Sequence, residues 1–306
     1  MSEMNKIQVH VSADLCSGCG LCLTVCPNDI FTLHRNKAIV TGGRCLGCEH
    51  CRAVCPAAAI SISGIDPELI LQTITTDNRW LPYGQTDPAQ LVRLMRSRRS
   101  CRNFKKNPVS REQLEDLVKI GTTAPSGTNS QGWTFTILPT RQAVVTLGDQ
   151  ISGYFKKLNR LAATPGLRQL LRFIGKPALD NYFRRYYQTI DKGLRQWEEE
   201  NRDRLFHGAT AAIIIGSKPG ASCPMEDAML ASQNILLAAH AMGLGTCLIG
   251  FAVAAMAKDA KIKTAIGIPQ QEPIYSVIAL GYPAEPYQRL TGRKKVEPRY
   301  FTGQDR

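Results

Sequence analysis

The sequence has no stretch of about 18 uninterrupted apolar residues, so no transmembrane helix is expected. Its first residues, MSEMNKIQVHVSADLC, lack the apolar run of a secretory signal, so a cytoplasmic, reducing location is expected. Nothing points to secretion, and a chain of 306 residues can bury a core without covalent staples. Its 11 cysteines are therefore not read as a disulfide scaffold. Histidine is scarce, and His10, His34, His50, His207 and His240 have no mutual spacing that suggests a metal site; they read as structural or surface residues. No dinucleotide fingerprint is present either. GLGTCLIG, 243–250, lacks the third glycine and follows a helical pattern rather than a strand. Acidic side chains are outnumbered, 25 against 38 Lys and Arg, for a formal charge of +13. Residues 1–64 hold five basic and four acidic side chains, so the excess lies in the rest of the chain.

What the chain does have is a doubled cysteine run. CSGCGLCLTVCP, 16–27, and CLGCEHCRAVCP, 45–56, both read C-x2-C-x2-C-x3-C-P. In this arrangement three closely spaced thiolates wrap one [4Fe-4S] cubane and the fourth, fixed by its proline, reaches across to the other. Cys16, Cys19, Cys22 and Cys55 are expected to hold one cluster, and Cys45, Cys48, Cys51 and Cys26 the second. C-x2-C pairs also bind zinc, but eight cysteines in doubled order with both prolines fit four-ligand zinc poorly. Gly18, Gly20 and Gly47 let the backbone approach the inorganic sulfur. IQVHV, AIV and AISIS read as short strands around the runs, and residues 5–64 resemble a bacterial-type ferredoxin.

A Pro- and Gly-punctuated stretch follows, so the expected organisation is a two-cluster domain at 1–64, a linker at 65–86 and a second domain at 87–306. PELILQTI, inside the linker, could form a helical turn. Asp87 as N-cap with Pro88 at N1 starts a helix carrying Leu91, Val92, Leu94 and Met95. Ser110 and Gln113 form a capping box, Leu114, Leu117 and Val118 an apolar stripe, and Gly121 a stop. WTFTIL (133–138), AAIIIGS (211–217) and IYSVIALG (274–281) read as strands, and 225–242 as a largely buried helix.

RSRRSCRNFKK, 96–106, would alone read as a solvated charge run or a nucleic-acid patch. Taken with APSGTNSQGWTF (124–135), GLGTCLIGF (243–251) and LTGRKKVEP (290–298), it makes residues 88–300 resemble the FMN-dependent nitroreductase family. The implied fold class is α+β: a small ferredoxin-like two-cluster domain followed by a mixed α/β FMN domain. By that resemblance Arg98, Arg99, Ser100 and Arg102 bind the phosphate and ribityl chain, joined by Arg293 and Lys295. Guanidiniums suit a dianionic phosphate because their forked donors match its oxygens. Pro125, Ser126, Gly127 and Asn129 match the family loop that reaches the flavin from the partner subunit. Ile249 and Gly250 match the backbone beside the ring's reactive nitrogen. Cys101 reads as a bystander and Trp133 as core. No side-chain acid or base stands out, so no catalytic residue is named.

The implied protein is a homodimer with FMN at its interface, acting on a small molecule. The clusters would carry electrons from a low-potential, ferredoxin-like donor to FMN and on to an acceptor of nitro, quinone or enone type. Two alternatives stay open: NAD(P)H docking over the flavin, with the clusters feeding a protein partner, or a redox carrier or sensor without an organic substrate. A nucleic-acid partner is not expected, because clusters and flavin phosphate offset much of the positive charge. Between 150 and 207 the chain departs from a compact family member, with 12 basic and six acidic residues and several aromatics. This insertion reads as a lid over the substrate pocket, a docking face for an acidic partner, or a surface for anionic membrane. Near its end, Asn201 and Arg204 are further candidates for contact with the flavin.

Overall fold

A computed structural model of the chain describes residues 7–66 and 68–303. The N-terminal part forms β1 (Gln8–Val11), α1 (Leu21–Val25), β2 (Phe31–His34), β3 (Lys37–Val40), α2 (His50–Ala53) and β4 (Ile60–Ser63). β1 pairs antiparallel with β4, and β2 with β3. The β2–β3 hairpin turns on Arg35 and Asn36, at φ 48° and 58°, the double positive φ that a two-residue primed turn requires. β2 was not among the expected strands: only its Phe31 is buried, so FTLH carries no alternation to read. Ile30, Phe31, Ala38, Ala59 and Ile60 form the core of this small unit together with Cys16, Cys22 and Cys51.

Residues 68–74 form no helix, contrary to the turn expected in PELILQTI. Their polar groups go elsewhere. The Gln72 and Thr73 N–H groups donate to the two carboxylate oxygens of Asp116 at 2.8 and 2.7 Å, and the Thr73 hydroxyl donates at 2.6 Å. Lys119 Nζ donates to the Ile70 carbonyl at 2.8 Å. An N–H spent on a distant carboxylate is not available to an i−4 carbonyl, so the strap stays extended.

Beyond it lie α3 (Pro88–Ser97), α4 (Arg111–Gly121), β5 (Trp133–Leu138), α5 (Arg141–Ala163), α6 (Leu167–Phe173), α7 (Ala178–Tyr182) and α8 (Gln188–Glu200), with a π-helical turn, Phe183–Tyr187, between the last two. Then come β6 (Ala211–Ser217), α9 (Pro224–Ala241), β7 (Gly245–Leu248), α10 (Gly250–Met256), α11 (Ala260–Thr264) and β8 (Ile274–Gly281). The caps are those read from the sequence: Asp87 accepts from Ala89 N, and the Ser110–Gln113 box closes in both directions.

The sheet runs β5–β6–β8–β7, antiparallel throughout. Every residue of β6 is buried, because helices cover both faces. Ala211, Ile213 and Ile215 pack towards α4 and α9, whereas Ala212 and Ile214 pack towards α5, α10 and α11. This accounts for the unbroken apolar run where a half-exposed strand would alternate. α3 packs on α9 yet buries none of its own residues, leaving Leu91, Val92 and Met95 exposed.

Candidate functional site

Each of the two cysteine sets expected from the sequence surrounds a hollow of its own. Cys16, Cys19, Cys22 and Cys55 line one, with Val11, Leu21, Ala38 and Ile60. Cys26, Cys45, Cys48 and Cys51 line the other, with Pro27, Ile30, Leu46 and Ile62. Among the described residues no three His, Cys, Asp or Glu side chains converge on a single ion. Sulfurs spread around an apolar hollow suit a cluster rather than one zinc. Backbone N–H groups point at the sulfurs: Ala38 to Cys16 at 3.4 Å, Gly47 to Cys45 at 3.3 Å and Ala59 to Cys55 at 3.3 Å. The Ala38 and Gly18 N–H groups, with Lys37 nearby, outweigh burial and hold the Cys16 thiol below its usual pKa. Burial pushes the Cys51 thiol up to about 11. Gly18, at φ +75°, has no room for a side chain: a Cβ would lie 2.2 Å from the Asn36 carbonyl oxygen.

The basic segment runs beside the edge strand of the large sheet. Ser100 bridges Thr246 of β7, and the Cys101 N–H donates to the Thr246 carbonyl at 2.8 Å. Burial first, then the guanidiniums of Arg99 and Arg293, pull the Arg98 pKa below its ordinary value. Arg98, Ser100 and Arg102 all act on the Cys247 thiol, whose pKa burial nonetheless raises. Among the described residues none of Arg98, Arg99, Arg102 and Arg293 forms an ion pair with a carboxylate. Cations gathered without an ion-pair partner fit the phosphate of FMN, although Glu285 lines the same cavity as Arg98 and Arg99. Arg98 and Arg99 also line a cavity of about 570 Å³ with Arg93, His240 and Arg289. Lys295 is not part of this gathering; it pairs with Glu297 at 2.9 Å on the surface.

The 124–131 loop lines neither large cavity. Its polar groups are engaged within the chain. Gly127 N–H donates to Asp227 Oδ1 at 2.9 Å, Ser126 Oγ accepts from Gln131 N–H at 3.0 Å, and Asn129 Nδ2 donates to the Leu46 carbonyl at 2.9 Å. Gly127 is closely packed, since a Cβ there would meet Cys223 Sγ at 2.9 Å. Trp133 is buried core, its Nε1 donating to the Asp227 carbonyl. Cys101 is buried 2.9 Å from where a Gly245 Cβ would sit, and burial raises its pKa, as suits a bystander.

Ile249 is buried and donates its N–H to the Val277 carbonyl; Gly250 faces open space, with nothing within 4 Å of a Cβ. The next residue, Phe251, lines a cavity of about 330 Å³ between α5 and α8. Val144, Ile151, Phe155, Ile190 and Leu194 make it apolar, while Asp203, Arg204 and His207 form a polar end. Asp203 pairs with Arg141 at 2.7 Å and accepts three backbone N–H groups, so its charge is occupied. Burial lowers the His207 pKa, which keeps the ring neutral near pH 7. His207 and His240, expected to be structural or surface residues, thus line cavities; only the folded course of the chain could reveal it. Arg204 lines the apolar cavity, whereas Asn201 caps α8 in a left-handed conformation.

The family model for nitroreductases matches residues 95–282, more than half of the chain. The chain belongs to the nitroreductase family. A 4Fe-4S dicluster domain model matches residues 15–60, so this nitroreductase carries an iron–sulfur domain ahead of its flavin domain. It is an FMN-dependent oxidoreductase with iron–sulfur clusters. A nitrobenzene nitroreductase of Ectopseudomonas oleovorans is 26% identical, across 62% of this chain and 85% of its own. An iodotyrosine deiodinase of Thermotoga neapolitana is 23% identical, across 69% and 98%. An FMN-bound nitroreductase structure from Bacteroides fragilis aligns with a TM-score of 0.48 and 22% identity, over 71% of this chain and 98% of that one. No helix among the described residues is long and apolar enough to cross a membrane.

Proposed function

We propose that a low-potential one-electron donor charges two [4Fe-4S] clusters, that these charge FMN, and that a small organic acceptor of nitro, quinone or enone type is reduced beside the flavin. The observation carrying this reading is the pair of thiol-lined hollows on the same chain as a nitroreductase domain. When bound, FMN takes electrons singly or in pairs and delivers a hydride equivalent, which joins one-electron clusters to two-electron reduction of an organic molecule.

The chain's own residues position the parts. Arg98, Arg99, Ser100, Arg102 and Arg293 hold the phosphate and ribityl chain. Lys295 joins them by leaving Glu297, an exposed pair of little energetic consequence. Gly250 leaves room for the ring, and Ile249 fixes the backbone beneath it. The loop carrying Pro125, Ser126 and Gly127 reaches the flavin of a second subunit, while Asn129, which matches the same family loop, turns its amide to Leu46 instead. A homodimer would cover the exposed Leu91, Val92 and Met95 of α3 with Met225, Met229 and Leu230 of neighbouring α9.

The acceptor occupies the apolar cavity beside Phe251. The insertion is its lid: Phe155 and Tyr186 both pack edge-on against Phe251, at 5.8 and 5.7 Å between ring centroids. Neutral His207 and Arg204 offer hydrogen bonds at the polar end.

Anaerobic holoprotein exposed separately to NADH, NADPH and reduced ferredoxin, followed by absorbance and EPR, tests the direction. Ferredoxin alone should bleach both clusters and flavin. If a pyridine nucleotide reduces the flavin first and the clusters afterwards, current runs outward to a protein acceptor and the proposed direction fails.

A further inference from the structure

The doubled cysteine runs are near copies, and nothing in their spacing says which cluster faces the flavin domain. The folded chain distinguishes them. Leu46, between Cys45 and Cys48, gives its carbonyl to Asn129 Nδ2 at 2.9 Å, across 83 residues of sequence. Asn129 lies at φ 52°, a left-handed conformation that asparagine tolerates better than most residues. It stands in a loop fixed from below by Gly127 and Ser130 donating to the Asp227 carboxylate. Thr128, beside it, is hydrogen-bonded to Ser222 at 2.6 Å. The loop is therefore a braced support with one side-chain amide turned to the cluster domain. Around the first cluster the picture reverses. Cys19 is exposed, Leu15, Leu21 and Leu33 stand in solvent, and no hydrogen bond joins residues 12–22 to the flavin domain among those described.

We infer that the two clusters act in a fixed order: the Cys16, Cys19, Cys22 and Cys55 cluster is the outer port, and the Cys26, Cys45, Cys48 and Cys51 cluster is the flavin-side one, seated by the Asn129–Leu46 hydrogen bond. This rests on the electron path proposed above. An external reduced carrier loses one electron to the outer cluster, which passes it to the inner one. Two such donations, with protons from solvent, supply the two electrons of one flavin reduction. Asn129 is a positioning residue in this scheme: it holds the inner cluster's loop against the flavin domain.

The test is Asn129→Asp, which keeps the size and left-handed tolerance of the residue but sets a carboxylate against the Leu46 carbonyl. Three readouts apply to the variant holoprotein: FMN affinity by fluorescence titration, cluster spectra and potentials by EPR-monitored titration, and the stopped-flow rate at which pre-reduced clusters bleach the flavin. The expected result is unchanged FMN affinity, both clusters intact with the added charge lowering the inner cluster's potential, and flavin bleaching roughly tenfold slower despite that greater driving force, the change in seated population when one polar contact becomes a repulsion. Asn129→Gly should slow it less, because it removes the bond without adding charge. Bleaching at the original rate, or weakened FMN binding with bleaching intact, overturns the inference and makes Asn129 a surface or flavin residue. If the unaltered protein's reduced clusters never bleach the flavin, the electron path itself fails instead. A second arm places the port: Leu33→Glu should slow cluster reduction by ferredoxin while leaving cluster-to-flavin transfer alone, and the opposite pattern would reverse the order.

Discussion

Arg98 stands where guanidiniums crowd and none of the described carboxylates pairs with it. Burial and then Arg99 and Arg293 weaken its hold on a proton, yet it stays charged at any ordinary pH. Such a side chain costs the apoprotein repulsion and stabilises only a form with an anion bound. Arg98→Gln should therefore weaken FMN about ten- to a hundredfold, since a charge-assisted hydrogen bond contributes about 1.5–3 kcal/mol. The same variant should unfold no earlier than the original when FMN is absent. Flavin fluorescence titration and thermal melts of apoprotein check both, and unaltered affinity would remove Arg98 from the phosphate site. At this scale some of the site was legible and some was not. RSRRSCRNFKK announces itself because six cations in eleven residues have few structural uses. His207 does not, because its place in the cavity depends on the turn after α8, where it and Gly208 both take positive φ. Lys295 matched a pattern but pairs with its neighbour Glu297 in the folded chain, and Asn129 matched a flavin loop but turns its amide to Leu46.

Elements were legible in proportion to their periodicity and caps. The Asp87 and Ser110 caps, the β6 run and α9 could be read because propensity, pattern and burial agree. β7 hid inside GLGTCLIG, where glycines and threonine give no strand pattern and pairing to β8 decides the conformation. The strap at 68–74 read as a helical turn because its best partner, Asp116, lies more than forty residues away. That contact makes a prediction. Burial is the largest single influence on Asp116 and pushes its carboxyl up, but donors from Thr73 and Gln72, with Lys119 behind them, together hold it below the usual carboxylate range. A depressed folded pKa means that the clasp's full contribution is present above the unfolded value of about 3.9 and is lost as pH falls through the lower folded value. Strap attachment should thus be constant from neutral pH to about 5 and fail only in stronger acid. Asp116→Asn should detach it at neutral pH, because an amide has one acceptor for three donors. Limited proteolysis within 64–86 reads this out; cleavage equally slow in the variant would show that the clasp does not hold the strap.

For the whole molecule the question is what the positive charge is for. The formal +13 overstates the loaded protein, since two clusters at about −2 each and a flavin phosphate at about −2 leave about +7. In the insertion, Asp180 meets Arg168, Arg172 and Arg184, and Asp191 meets Arg195, so part of its basic excess is neutralised on site. What remains lies outside the cluster domain, where five basic and four acidic residues nearly cancel. A carrier that discharges at Cys19 thus meets a leucine-bearing surface on a domain whose own clusters turn its side-chain charge of +1 into about −3, within the long-range field of a positive body. Contact and steering are separated: Leu15, Leu21 and Leu33 would set the fit, and the flavin domain would set the rate of encounter with an acidic carrier. The screening length falls from about 30 Å at 0.01 M salt to about 8 Å at 0.15 M, so a field acting from another domain should fade over that interval. Cluster reduction by an acidic ferredoxin should slow several-fold across it, whereas reduction by an uncharged mediator should not. Stopped-flow traces with both reductants separate the two contributions. A ferredoxin rate insensitive to salt would mean that the positive body does not guide the carrier, and that its charge serves the flavin phosphate instead.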